Sequence, residues 1–219
     1  MSDLESVAPE AVYHFTRAQY ERLVEQGEFN DARVELLRGV LVKTNAQGVW
    51  HLRVTGELHA LLLKLLGDSV FVTSHSPVAL SDDSEPEPDV AVHPRETLGD
   101  TIPGQPALLV EVSDSSLSRD GGIKRSLYSE AGVPEYWIVR RDTASVEVYT
   151  EPSPAGFQRE QVYGPTDSIR LQAFPEVEVP IAEFWLEGFT PSRREGASPS
   201  PTAGVDMWRS VTTPIRDGL

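Results

Sequence analysis

The chain has 219 residues, 39% of them hydrophobic and 24% charged, which is length for one substantial domain and too apolar for global disorder. It contains no cysteine, which excludes a disulfide framework, thiolate zinc, iron–sulfur clusters and a cysteine nucleophile. Nineteen Lys and Arg face 34 Asp and Glu, a net charge of −15, so any nucleic-acid site must rest on a local basic surface or a bound cation.

Met1-Ser-Asp-Leu-Glu5 carries neither a basic flank nor an apolar h-region, so a soluble cytoplasmic protein is expected. The first helix signal is Thr16-Arg-Ala-Gln19, a capping-box pattern, followed by Tyr20, Leu23 and Val24 on one face and Gly27 as a stop. Val34 to Val42 reads as two strands turning near Arg38-Gly39. Val49 to Leu66 is the longest helical pattern, with Trp50, Val54, Leu58, Leu61, Leu62 and Leu65 at three- to four-residue spacing and Gly67 at its end. Its apolar run from Leu58 is broken by Lys64 and is far below the ~20 residues of a membrane span.

Val70 to Thr73 and Val78 to Leu80 read as strands, and the acidic Ser81 to Pro88 as a solvated loop. Asp89 to Val92 is a short strand, 94–106 a polar loop, and Ala107 to Val112 a nearly continuous apolar run suited to a central strand. A helix over about 121–131, stopped by Gly132 and Pro134, leads to the strand Glu135 to Val139, which together make a βαβ unit. Further strands are predicted at Val146 to Tyr149, Phe157 to Tyr163 and Ile169 to Leu171. The domain is expected to span 1–189. Residues 190–219, rich in Pro, Ser and Gly without periodicity, read as a flexible C-terminal tail.

The informative feature is a charge where burial should forbid one. Alternation in Leu108-Leu-Val-Glu-Val112 sets Leu109, Glu111 and Ser113 on one face and Leu108, Val110 and Val112 on the other. A carboxylate in an apolar central strand is costly unless paired or metal-bound. Glu111 lies near the strand's carboxyl end, where open α/β sheets place ligands; a salt bridge to an arginine at a solvated strand end is the alternative. Asp89 stands where a loop becomes a strand, and adjacent strands lie ~4.8 Å apart, so Asp89 and Glu111 can converge. Two carboxylates ~4 Å apart repel by about 4 kcal/mol at an effective dielectric near 20. Either one is protonated or a cation holds both; otherwise Asp89 is a turn residue capping the acidic loop.

Asp120 is a candidate N-cap, which puts Lys124 and Arg125 at the wrong end of a helix for positive charge. Lys124 borders the stripe Ile123–Leu127–Ala131, so its amine either reaches along the sheet edge or stays in solvent. His51 and His59, eight apart, lie on one side of the long helix. His51 either points into a cleft, to contact phosphate or hold a carboxylate, or is a partly buried helix residue. The loop at 82–87 lacks the glycine and terminal glutamate of an EF-hand, and no His-Glu-x-x-His, Gly-rich phosphate loop or Gly-x-Ser-x-Gly occurs.

As a set, Asp89, Glu111 and Lys124 resemble the PD-(D/E)xK nuclease signature, with Pro88-Asp89 as its first half. Phe15-Thr16, Glu35-Leu-Leu-Arg-Gly39, the helix opening near His51, Pro88-Asp89-Val90, Leu109 to Ser116, Asp120 to Lys124 and Tyr128 to Trp137 together resemble the Uma-two family of restriction-endonuclease-like proteins, over residues 12–189. The resemblance implies an α/β (α+β) fold of the restriction-endonuclease-like kind, a central mixed β-sheet flanked by α-helices. It also implies a nuclease. The general signature puts its lysine two residues after the glutamate, where this chain has Ser113; in the resembling family the basic residue comes from the following helix, which is Lys124 here.

Two functions follow as expectations. In the first, a divalent-metal-dependent endonuclease, Asp89, Glu111 and the Val112 carbonyl hold Mg2+ or Mn2+, and Lys124 orients the attacking water and offsets transition-state charge. Glu35 is then an outer carboxylate of the metal shell, although its alternation with Val34 and Leu36 suits an exposed strand face as well. Arg119, Arg125 and His51 would contact phosphate, DNA would be the substrate and a homodimer the assembly. In the second, the same fold is a catalytically inactive binding or dimerisation module, with apolar residues around Tyr136 and Trp137 at the interface. Two-carboxylate glycoside hydrolysis is disfavoured, since it leaves Lys124 without a role.

Overall fold

Thr16 opens the first helix as the capping box requires: its hydroxyl accepts from the Gln19 N–H while the Gln19 side chain accepts from the Thr16 N–H. The computed structural model describes residues 12–44, 47–113 and 122–185. Asp120, Arg119 and the 190–219 tail therefore lie outside the described residues. Helix α1 (Arg17–Glu25) is followed by strands β1 (Val34–Leu37) and β2 (Val40–Lys43), which pair antiparallel. Their two-residue turn has φ of 50° at Arg38 and 76° at Gly39, the left-handed pair that suits the twist of a tight hairpin. A Cβ on Gly39 would also sit 2.6 Å from His14 Cβ, so the position excludes a side chain on two grounds.

Helix α2 (Val49–Leu66) has the predicted limits. Six strands form the main sheet in the order β3-β4-β5-β6-β7-β8: β3 (Val70–Ser74), β4 (Val90–Pro94), β5 (Leu108–Ser113), β6 (Glu135–Arg140), β7 (Ser145–Thr150) and β8 (Arg159–Tyr163). The β5–β6 pair is parallel and the other four pairings are antiparallel, so the sheet is mixed. Helix α3 (Ile123–Glu130) lies in the crossover between the parallel strands. Its N-cap is Gly122, without a side-chain cap, rather than the predicted Asp120.

Alternation in β5 sorts the core as expected. Leu108, Val110 and Val112 pack with Trp50, Val54, Leu58 and Leu62 of α2, whereas Leu109 packs with Leu127 and Tyr128 of α3 on the other face. Each fully buried leucine or valine contributes about 1.5–3 kcal/mol relative to exposure.

Three expectations are corrected and one strand is added. Residues 78–80 form no strand; their amides bond to the carbonyls of Pro86, Pro103 and Ser84, and prolines on both sides deny them a ladder. A strand at Glu178–Pro180 (β10), too short to show periodicity, pairs antiparallel with β9 (Ser168–Arg170) as a separate hairpin. The acidic loop is not fully solvated, because Ser84 and Glu85 are buried and Glu85 forms a β-bridge with Leu36. Tyr136 and Trp137 are completely buried, so they belong to the core and not to an interface.

Candidate functional site

Glu111 is buried in the middle sheet, as the apolar run around it dictates, and it is paired. The partner is Lys124, in the first turn of α3, whose Nζ lies 2.9 Å from Glu111 Oε1. The same ammonium lies 3.0 Å from Glu35 Oε2, on β1 of the hairpin. Lys124 is only 5% exposed and Glu35 only 4%, which settles both side chains as interior rather than solvated. Tyr128, one helical turn beyond Lys124, donates its hydroxyl to Glu111 Oε1 at 2.8 Å. Burial, and then the Glu111 charge, raise the Tyr128 phenol well above its ordinary pKa, so it stays a donor. Glu35 is itself pushed up by burial, against the pull of the Lys124 charge and hydrogen bond.

Asp89 stands one position before β4, opposite Glu111 if the β4–β5 register is continued. Instead of extending the ladder its carboxylate accepts the Val112 N–H on Oδ2 at 2.7 Å. His51 Nε2, from the first turn of α2, donates to the same oxygen at 2.9 Å. On Oδ1, Gln47 Nε2 donates at 3.1 Å and His75 Nδ1 lies at 3.3 Å. Burial alone would raise the Asp89 carboxyl, but hydrogen bonds from His51, His75 and the Val112 amide outweigh it and hold the group well below the usual carboxylate range. One of the alternatives for His51, holding a carboxylate, is what is found.

The predicted residues thus fall into two adjoining sets. Glu35, Glu111 and Lys124 meet directly, and Asp89 joins them through the backbone amide of the residue after Glu111. Arg125 is exposed, with its guanidinium 5.2 Å from the centroid of the Tyr149 ring. Three residues escaped the sequence reading. Tyr128 had a usable signal, the Lys124-x-x-x-Tyr128 spacing that puts both on one helix face. His75 and Gln47 had none, because loop geometry brings them in; His75 has a φ of 49°, uncommon for a non-glycine residue.

His51, His75 and Asp89 offer ligand atoms all within 4.8 Å of one another. His51 Nδ1 is buried without a hydrogen-bond partner. Two imidazoles and an ionised carboxylate are a donor set that suits a divalent cation, and imidazole weights it toward Mn2+ and its neighbours over Mg2+.

A second buried acid lies behind the hairpin. Burial, and then the Glu21 charge, push the Glu85 carboxyl up to about 7. The folded chain therefore keeps a proton that the unfolded chain releases above its ordinary value, and stability falls as pH rises between about 4.5 and 7. Glu85→Gln is expected to flatten that decline, making the variant more stable than the parent at pH 8 by about 1–2 kcal/mol. Urea denaturation across pH checks this; parallel curves for the two proteins would refute it.

The mixed six-stranded sheet thus carries helices on both faces, with the carboxylate–lysine cluster buried beside its parallel strands. The sequence profile of the Uma2 family, described as "putative restriction endonuclease", matches residues 17–182, and the chain belongs to that family. Among solved structures the chain is similar to a putative nuclease of the DUF820 group from Anabaena variabilis ATCC 29413, at 15% identity and a TM-score of 0.64, covering 78% of this chain and 97% of that one. It is also similar to the type IIG restriction endonuclease BpuSI, at 18% identity and a TM-score of 0.39, over 62% of this chain and 15% of that one. No curated protein matches the sequence. Among the described residues, no helix is long and apolar enough to cross a membrane.

Proposed function

We propose that the chain is a divalent-metal-dependent endonuclease that hydrolyses nucleic-acid phosphodiester bonds, with DNA as substrate and the cytoplasm as its place of action. The observation that carries the reading is Lys124, buried between Glu111 and Glu35 while the next backbone amide along β5 anchors Asp89. A lysine is held between the central sheet and the hairpin at the expense of desolvation, an arrangement more typical of a site than of a scaffold.

The cation would be held by Asp89 with His51 and His75, or by Asp89 with Glu111 and the Val112 carbonyl; Asp89 belongs to both sets. When bound, such an ion polarises a phosphoryl oxygen and lowers the pKa of a water. The chain's own residues do the rest. His51 and the Val112 N–H fix the Asp89 carboxylate in its ionised form. Tyr128 and Lys124 share one oxygen of Glu111 and so fix its rotamer. Lys124 supplies positive charge where the phosphorane forms, a preorganised donor that needs no rearrangement as charge develops. Overall, water adds to phosphorus, the bridging ester oxygen departs and takes up a proton, and a phosphomonoester and an alcohol result. A homodimer suits the reading, because cutting both strands of a duplex takes two centres.

The test is incubation of the purified chain with supercoiled plasmid in Mn2+, Mg2+ or EDTA, with Glu111→Gln as the paired variant. Nicking in Mn2+, absent in EDTA and in the variant, is the expected result. Nicking retained by the variant would assign the activity to another site or a contaminant. The net charge of −15 favours the inactive binding module as the second reading. No nicking with either metal, together with a stable dimer in sedimentation, would select it.

A further inference from the structure

We propose that the exposed face of α2 is a homodimer interface, on which two copies of this chain pair antiparallel about Gly56; this rests on the homodimer named with the nuclease reading and gives it a surface. A helix lying on a sheet is expected to turn polar residues outward, and α2 does so only in part. Val49, Leu52 and Leu63 are 66%, 62% and 42% exposed, and Gly56 and Ala60 are exposed between them. At 3.6 residues per turn these five positions fall within about 80° of one another, one stripe about 21 Å long. Trp50, Val54, Leu58, Leu61 and Leu62 take the opposite side and pack on the sheet. The helix thus has two apolar stripes, and the fold of a single chain buries one.

Self-complementarity names a second copy as the occupant. Gly56 stands in the middle of the stripe, and a Cβ there would meet nothing within 4 Å. Glycine weakens a helix interior, and its use is the close approach of another backbone. With Gly56 on the two-fold axis, Val49 lies opposite the partner's Leu63, and Leu52 opposite the partner's Ala60. The charges agree with that register. Arg53, Glu57 and Lys64 are exposed and line one flank of the stripe. Antiparallel helices related by a two-fold axis keep like flanks together, so each Arg53 comes within about 3 Å of the partner's Glu57 along the axis. One sequence then supplies two ion pairs across the crossing. A net charge of −15 repels a second copy, but α2 sets Arg53 and Lys64 against Glu57 alone, which lowers that repulsion at this face. The stripe also belongs to the helix that carries the site. His51 points inward to Asp89, so pairing leaves it in place and sets two centres about 15 Å apart along the helix axes.

The experiment is sedimentation of the full chain across a concentration series, beside variants of the stripe. The parent is expected to dimerise. Leu52→Lys, at a position too exposed to matter for the core, is expected to weaken the dimer about tenfold or more. Arg53→Glu sets like charges together twice at the crossing and is expected to weaken it comparably. Adding Glu57→Arg to Arg53→Glu is expected to restore dimerisation, a rescue that damage to the fold would not permit. The chain has no cysteine, so Gly56→Cys introduces a single thiol, which meets its own copy across the axis. Oxidation should link that variant into dimers faster than Arg159→Cys, on the strand at the far edge of the sheet. A monomeric parent would overturn the proposal and leave the chemistry of the nuclease reading to the nicking assay. A dimeric parent whose Leu52→Lys and Arg53→Glu variants stay dimeric, with no faster linking of Gly56→Cys, would overturn it too and put the interface elsewhere. A parent that dimerises through this face and nicks no DNA would uphold the interface and sink the catalytic reading alone.

Discussion

Lys124→Met is expected to abolish cleavage and to destabilise the fold by about 3–5 kcal/mol, the penalty of stranding buried charge after one partner is removed. Methionine has nearly the length of lysine, so little packing is lost and the effect reports the ammonium. Two carboxylates remain, Glu111 and Glu35, both under 5% exposed. Burial already raises the Glu35 carboxyl, and Lys124 is the main influence pulling it down. Without that lysine the folded-state value climbs further, so the variant's deficit should shrink in acid and widen as pH rises above the ordinary carboxylate range. Urea denaturation at pH 5 and pH 8 reads the sign directly. A variant as stable as the parent at both pH values would mean that the ion pairs contribute nothing.

Asp89→Asn is expected to eliminate nicking and to weaken Mn2+ binding by more than the ~10–100-fold that follows loss of an outer partner. The amide keeps the shape but not the charge, and its NH2 would face donors at Val112, His51 and Gln47. In the parent, hydrogen bonds hold Asp89 below the usual carboxylate range despite burial. Its stabilising contribution is therefore present above the ordinary carboxylate pKa and is lost as pH falls through the depressed folded value. The variant should accordingly lose stability at neutral pH and much less in strong acid. Calorimetric titration with Mn2+ decides the point; binding that survives unchanged would place the cation elsewhere.

Much of the scaffold was legible because its signals are local. The Thr16–Gln19 capping box, the apolar spacing from Trp50 to Leu65 and the alternation in β5 each specify an element with few residues, and each formed as read. Glu111 stood out for the same reason, as a charge set in an apolar strand. The short hairpin strand at 178–180 has no such pattern, and the apolar 78–80 lacked the ladder partner that a strand requires. The site was half visible. Lys124 and Glu35 each had an exposed reading beside the buried one, for a lone lysine the stronger of the two, and only tertiary placement decided them. His75 and Gln47 arrive on loops, whose paths no periodicity encodes. The acidic loop misled because composition reports solvation on average, while Glu85 is drawn inward by a single bridge to Leu36.

The β1–β2 hairpin, which pairs as a sheet of its own, has one further consequence. Glu111 is anchored in the main sheet, whereas Glu35 rides on this separate piece, fastened by the Leu36–Glu85 bridge and the Arg38–Glu130 pair. Seating the hairpin and neutralising the Lys124 ammonium are thus one linked equilibrium, and whatever tightens either must tighten the other. Half of the lysine's countercharge is detachable: it leaves with a small ribbon, while the other half stays with the slab behind it.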